Sequence, residues 1–243
     1  MTTPVDPATP PGPTLRAVTV GDEPDAWRRA GFAVDGDRVT IGPLVVELTG
    51  GTERGLTGWV LGPSTTTDDP AAPPDGAGPD PGTIDGIATR TVHDRTGGIG
   101  GRDDGDGPDR PHPNGIVGVD HLVVRSPDLD RTVAALSGLG FRVRRTRDVP
   151  GSEPPLRQVF GWLGPVILEL VGGAEPDPDR TGPATLWGLA LIAADIDATA
   201  DYLGPRLTEP RGAVQPGRRI AAFVTDDLDI SVPLAVMTPH RRP

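Results

Sequence analysis

The chain has 243 residues, enough for one large or two modest domains, and a net charge of -11 with no cysteine. All 23 basic residues are arginine, so disulfides, thiolate metal sites, a cysteine nucleophile and a lysine Schiff base are excluded together. The negative balance and the lack of a long basic face argue against nucleic acid. No apolar run approaches the ~20 residues of a membrane-spanning helix, and the Pro- and Thr-rich start is not a secretory leader, which places the protein in the cytoplasm.

Residues 1–13 read as a disordered N-terminus. Residues 14–63 suggest a strand at Leu15–Val20, a helix at Pro24–Ala30 and strands near Phe32, Val39 and Leu44. Gly58–Leu61 starts a further unit that the next segment interrupts. Residues 64–115 are dominated by Asp, Pro and Gly, including Asp103, Asp104 and Asp106. They hold too little apolar surface to offset the entropy of ordering, so they read as a linker, except that residues 83–92 form a candidate strand.

The repeat is most evident beyond the linker. An apolar strand at Val119–Val124 leads to Ser126-Pro127-Asp128, a helix start with a capping hydroxyl and proline at the first position. Leu129, Val133 and Leu136 then recur at the spacing of one buried helical stripe. Three strands follow, at Phe141–Val149, Arg157–Leu163 and Val166–Val171. The same order returns with a strand at Leu186–Ile192, a cap at Asp195, a stripe of Ile196, Ala200 and Leu203, and strands at Arg206–Thr208, Arg219–Val224 and Ile230–Met237. Pro165–Gly173 (PVILELVGG) also matches Pro43–Gly51 (PLVVELTGG) at five of nine positions. The fold class is therefore α+β, with paired β-α-β-β-β modules (116–175 and 183–238) making an open curved mixed sheet over 116–240, preceded by a worn module at 14–63.

These modules, with Val-Asp-His-Leu-Val-Val at 119–124, Ser-Pro-Asp-Leu-Asp at 126–130 and Ile-Leu-Glu-Leu at 167–170, resemble the vicinal oxygen chelate superfamily. That superfamily includes glyoxalase I, extradiol dioxygenases, bleomycin resistance proteins and methylmalonyl-CoA epimerase. The Pro-His-Pro-Asn-Gly lead-in at 111–115 is similar to that of uncharacterised actinobacterial glyoxalase-like proteins. The resemblance implies a small-molecule ligand or substrate in a cup, sometimes a homodimer, and a divalent metal held by the first and last strands of each module. His121 and Glu169 match one such pair, with Glu169 also the candidate catalytic carboxylate. The second pair falls on Gly188 and Ala235, which cannot ligate. Glu47, the repeat counterpart of Glu169, or a second subunit would have to complete a metal site.

Strand alternation puts His121 on one face with Val119 and Val123, and Glu169 with Ile167 and Val171. Arg157, Gln158, Phe160, Trp162 and Arg219 are candidate substrate contacts, with Arg218 the alternative to Arg219, since adjacent residues face opposite ways. Arg142, Arg144, Arg145 and Arg147 read as an exposed strand face. His112 and His240 lie in sequence too irregular to fix a metal, and Asp226, Asp227 and Asp229 as a hairpin turn. Two functions stand open: a metal-assisted enzyme on a small oxygenated substrate, or a metal-free protein that binds or sequesters a ligand in the same cup.

Overall fold

The computed structural model describes residues 12–63, 82–92, 111–175 and 181–240; the N-terminal extension and most of the linker lie outside them. Two sheets organise the molecule. The first is built from β1 (Thr14–Val20), β2 (Arg38–Ile41), β3 (Leu44–Leu48), β4 (Leu56–Gly62), β5 (Thr83–Ile84) and β6 (Ile87–Thr91), in the order β2-β3-β1-β4-β6-β5. Helix α1 (Pro24–Arg29) joins β1 to β2.

The second sheet has eight strands, in the order β12-β13-β14-β11-β7-β10-β9-β8. One half is β7 (Ile116–Arg125), α2 (Leu129–Ser137), β8 (Val143–Asp148), β9 (Leu156–Leu163) and β10 (Val166–Gly173). The other is β11 (Thr185–Ala193), α3 (Ile196–Leu203), β12 (Arg211–Gly212), β13 (Arg219–Ala222) and β14 (Leu234–Met237). The two opening strands, β7 and β11, pair antiparallel at the centre, and each pairs on its other side in parallel with its own module's last strand. The first sheet repeats this plan. β1 and β4 pair antiparallel, β3 is parallel to β1, and β6 is parallel to β4. The 83–92 segment is therefore a hairpin whose second strand adds to the first sheet beside β4.

Local chemistry explains the elements and several departures from expectation. Asp128, not Ser126, caps α2, accepting from the Arg131 amide, and Pro127 stays outside the helix. Ser126 instead accepts from the Asp128 amide and meets Thr132. Asp195 caps α3 as expected. No strand forms at Phe32, whose ring is buried against Trp27 and His112. In place of a strand at 206–208, a 3₁₀ turn at 204–206 leads into a single bridge from Leu207 to Phe223, and the 226–228 segment is a 3₁₀ turn in the connection between antiparallel β13 and β14. The repeated Gly-Gly has a packing cause: a Cβ at Gly172 would meet the Ser126 carbonyl oxygen at 2.6 Å, where β10 passes under the start of α2.

Residues of both sheets belong to one continuous core. Leu122, Val124, Leu168, Leu170, Leu189 and Leu191 turn the helix-side face of the second sheet into it, and Val18, Val46 and Trp27 join from the first. The lead-in at 111–115 is a clamp, not linker. His112 accepts from the Ala33 amide and contacts the Thr40 carbonyl, each at 3.0 Å, while buried Asn114 bonds Ala30 and Ile116. No helix is long and apolar enough to cross a membrane among the described residues.

Candidate functional site

The opposite, concave face of the second sheet carries the polar groups. Its geometry begins with a bulge. Opposite the consecutive residues Ala190 and Leu191 of β11, β7 presents His121 and Val119 with Asp120 extra between them. Such an insertion re-aims side chains that simple alternation would separate. Asp120 thus reaches its own neighbour, Oδ2 lying 2.8 Å from His121 Nδ1. Its other oxygen accepts from Arg218 Nη2 at 2.6 Å, with side chains 1% and 4% exposed, and lies 3.1 Å from His240 Nε2. Burial pushes the Asp120 carboxyl up, but the hydrogen bonds from His121 and Arg218 outweigh it and hold it down at about 2. An ionised carboxylate only accepts, so His121 Nδ1 carries its proton and Nε2 faces the cup.

Across the row, Glu169 Oε2 stands 3.4 Å from His121 Nε2. Gln158 on β9 donates to Glu169 Oε1, and Arg147 on β8 donates from Nε to Gln158 Oε1 at 2.6 Å. Burial raises the Glu169 carboxyl above the ordinary range, more than nearby His121, Arg147 and Gln158 lower it. The result is a chain of contacts, Arg147–Gln158–Glu169–His121–Asp120–Arg218, along the concave floor. It holds the Asp120–Arg218 ion pair at one end and, near its middle, a carboxyl that burial makes harder to ionise. Phe160, opposite Glu169 on β9, and Trp162, opposite Ile167 and 47% exposed, wall the same face.

The structure therefore brings His121, Glu169, Gln158, Phe160 and Trp162 together. Arg157 and Arg219 are corrections: both point to the helix side, Arg157 bonded to Asp148 at 2.8 Å and Arg219 to Asp197 at 2.7 Å. Alternation gave the inward places to Gln158 and Arg218. Arg147, read as part of an exposed strand face, is another correction, because β8 pairs it with Gln158. Asp120 was missed; the available signal was a charge in the middle of an apolar strand. His240, set aside as terminal, contacts both Asp120 and Arg218.

The second ligand pair is missing for a reason of packing. Ala190 is paired with both His121 and Ala235, so this row offers only methyl groups beyond the imidazole. A Cβ at Gly188 would meet the Pro233 carbonyl oxygen at 2.6 Å. Glu47 lies on the first sheet, ion-paired with Arg90 and Arg38, and does not complete the set. No group of three or more His, Asp or Glu side chains is arranged to hold a metal among the described residues. Catalytic metals generally take three protein ligands, and His121 with Glu169 supplies two, so this donor set does not fit one. A hollow of about 600 Å³ adjoins the row, lined by Ala222, Ala235, Ile220 and Pro210 among others.

No family model matches the chain, and no curated protein sequence does. Solved structures do. A xylose isomerase-like TIM barrel/4-hydroxyphenylpyruvate dioxygenase fusion protein superposes with a TM-score of 0.58 at 14% identity, covering 99% of this chain and 52% of that one. An extradiol ring-cleaving dioxygenase from B. fuscum gives 0.56 at 17%, covering 97% and 74%. Methylmalonyl-CoA epimerase from Mycobacterium tuberculosis aligns with 52% of this chain and 91% of its own, at 18% identity and a TM-score of 0.40. Together with the paired modules and their central antiparallel strands, the likeness to the first two shows that the chain has the vicinal oxygen chelate fold.

Proposed function

We propose that the concave face of the second sheet binds a small oxygenated molecule directly, with His121 and Glu169 as its polar contacts and no protein-held metal between them. The observation that supports this most is the spent and incomplete donor set. Asp120 holds one imidazole nitrogen, Gln158 holds one Glu169 oxygen, and Gly188 and Ala235 stand where further ligands belong. Such a floor binds through hydrogen bonds, and Glu169 is placed to keep or give up a proton at Oε2 while Asp120 steadies the ring. Phe160 and Trp162 would flank the ligand.

A second reading, a metal-assisted enzyme, draws on the convergence of His121 Nε2 and Glu169 Oε2 and needs the same half-site from a second copy. Metal analysis of purified protein separates the two. Direct binding predicts equal, substoichiometric metal in the native protein and in His121→Ala. Stoichiometric zinc, iron, manganese or nickel that His121→Ala removes would overturn it.

A further inference from the structure

Several arginines have an acidic partner: Arg131 with Asp85, Arg157 with Asp148, Arg218 with Asp120, Arg219 with Asp197 and Arg90 with Glu47. Arg147 differs. It is half-buried in the cup, spends Nε on the neutral amide of Gln158, and forms no ion pair among the described residues. The amide itself is locked, because its NH₂ is committed to Glu169 and only its oxygen is left for Arg147. This fixes one edge of the guanidinium and leaves the Nη pair, the fork that matches a planar carboxylate.

The surroundings agree in charge and shape. Arg218 and Asp120 neutralise each other, whereas Arg147 has no carboxylate within ion-pair distance among the described residues. The Phe160 ring centroid lies 5.7 Å from Arg147 Cζ, and Trp162 continues the same wall two residues on.

Resting on the cup as the binding face, we propose that Arg147 anchors the carboxylate of a small organic acid. The acid's apolar part lies along Phe160 and Trp162, and its remaining oxygen meets Glu169 and His121. The probes are phenylacetate and its neutral isostere phenylacetamide, followed by NMR at the Arg147 Nε–H and Trp162 indole N–H signals. Phenylacetate is expected to shift both saturably and to bind about tenfold or more tighter than the amide, the scale of a charge-assisted pair. Arg147→Gln should bring phenylacetate down to the level of the amide while leaving the amide unchanged, and Arg157→Gln, on the helix side of the sheet, should alter neither. Arg147→Lys, which keeps the charge and loses the fork, should fall between.

Equal affinity for both probes, or full phenylacetate binding by Arg147→Gln, would overturn the carboxylate anchor and leave the cup intact as a binding face. If neither probe perturbs either signal, the anchor and the direct-binding cup fall together.

Discussion

Asp120 and Arg218 form a buried ion pair directly beneath the proposed ligand face. Removing one partner of such a pair strands the other and costs about 3–5 kcal/mol. Asp120→Asn should therefore destabilise the fold by roughly that amount at neutral pH, read from urea unfolding. The pH dependence has a definite sign. The folded carboxyl is depressed from 3.8 to about 2, so its stabilising effect is fully present above pH 4 and is lost as pH falls through 2. That shift corresponds to about 2 kcal/mol. The gap between native protein and variant should accordingly narrow from pH 4 toward pH 2; a gap that stays constant over that interval would assign the loss to packing rather than to the ion pair.

At the scale of elements, the strands decide what the site contains. Pro233 crosses so close to β11 that any side chain at 188 meets backbone. Gly188→His is thus expected to lose about 1–3 kcal/mol through overpacking and to gain no metal affinity, checked by thermal melting and by zinc titration. Tight, stable zinc binding by that variant would show that β14 yields where we expect it to resist. The strand-helix-strand order, the Asp195 cap and the shared face of His121 and Glu169 were legible because they follow from period, capping chemistry and repetition within one segment. Asp120 and Arg147 were not. The first depends on a bulge that adds a residue to β7 against β11, and the second on the register of β8 against β9 across the loop at 149–155. Register set between strands leaves no periodic mark in either strand alone.

At the scale of the molecule, the two sheets are tied together by contacts far apart in sequence. Buried Asp22 accepts from the Trp27 indole and from the Ser231 amide, and Arg54 bonds the carbonyl of Asp229. Asp85 holds Arg131 at the start of α2, while Asn114 joins α1 to β7 and, through its carbonyl, to Thr199 on α3. The apolar face behind the cup is covered by α2 and α3 and shares one continuous core with the first sheet. Unfolding should then be one cooperative transition, and the tryptophans are placed to report it. Trp27 and Trp59 are buried within the first half of the chain, and Trp162 and Trp187 are exposed on the second sheet. Urea titrations of Trp162→Phe/Trp187→Phe and of the native protein should share one midpoint with circular dichroism, allowing for any uniform shift from the substitutions. Separate midpoints for the first-half tryptophans and for the overall β signal would mean that the sheets are independent units, and that the cup's floor is held by its own eight strands without support from the first sheet.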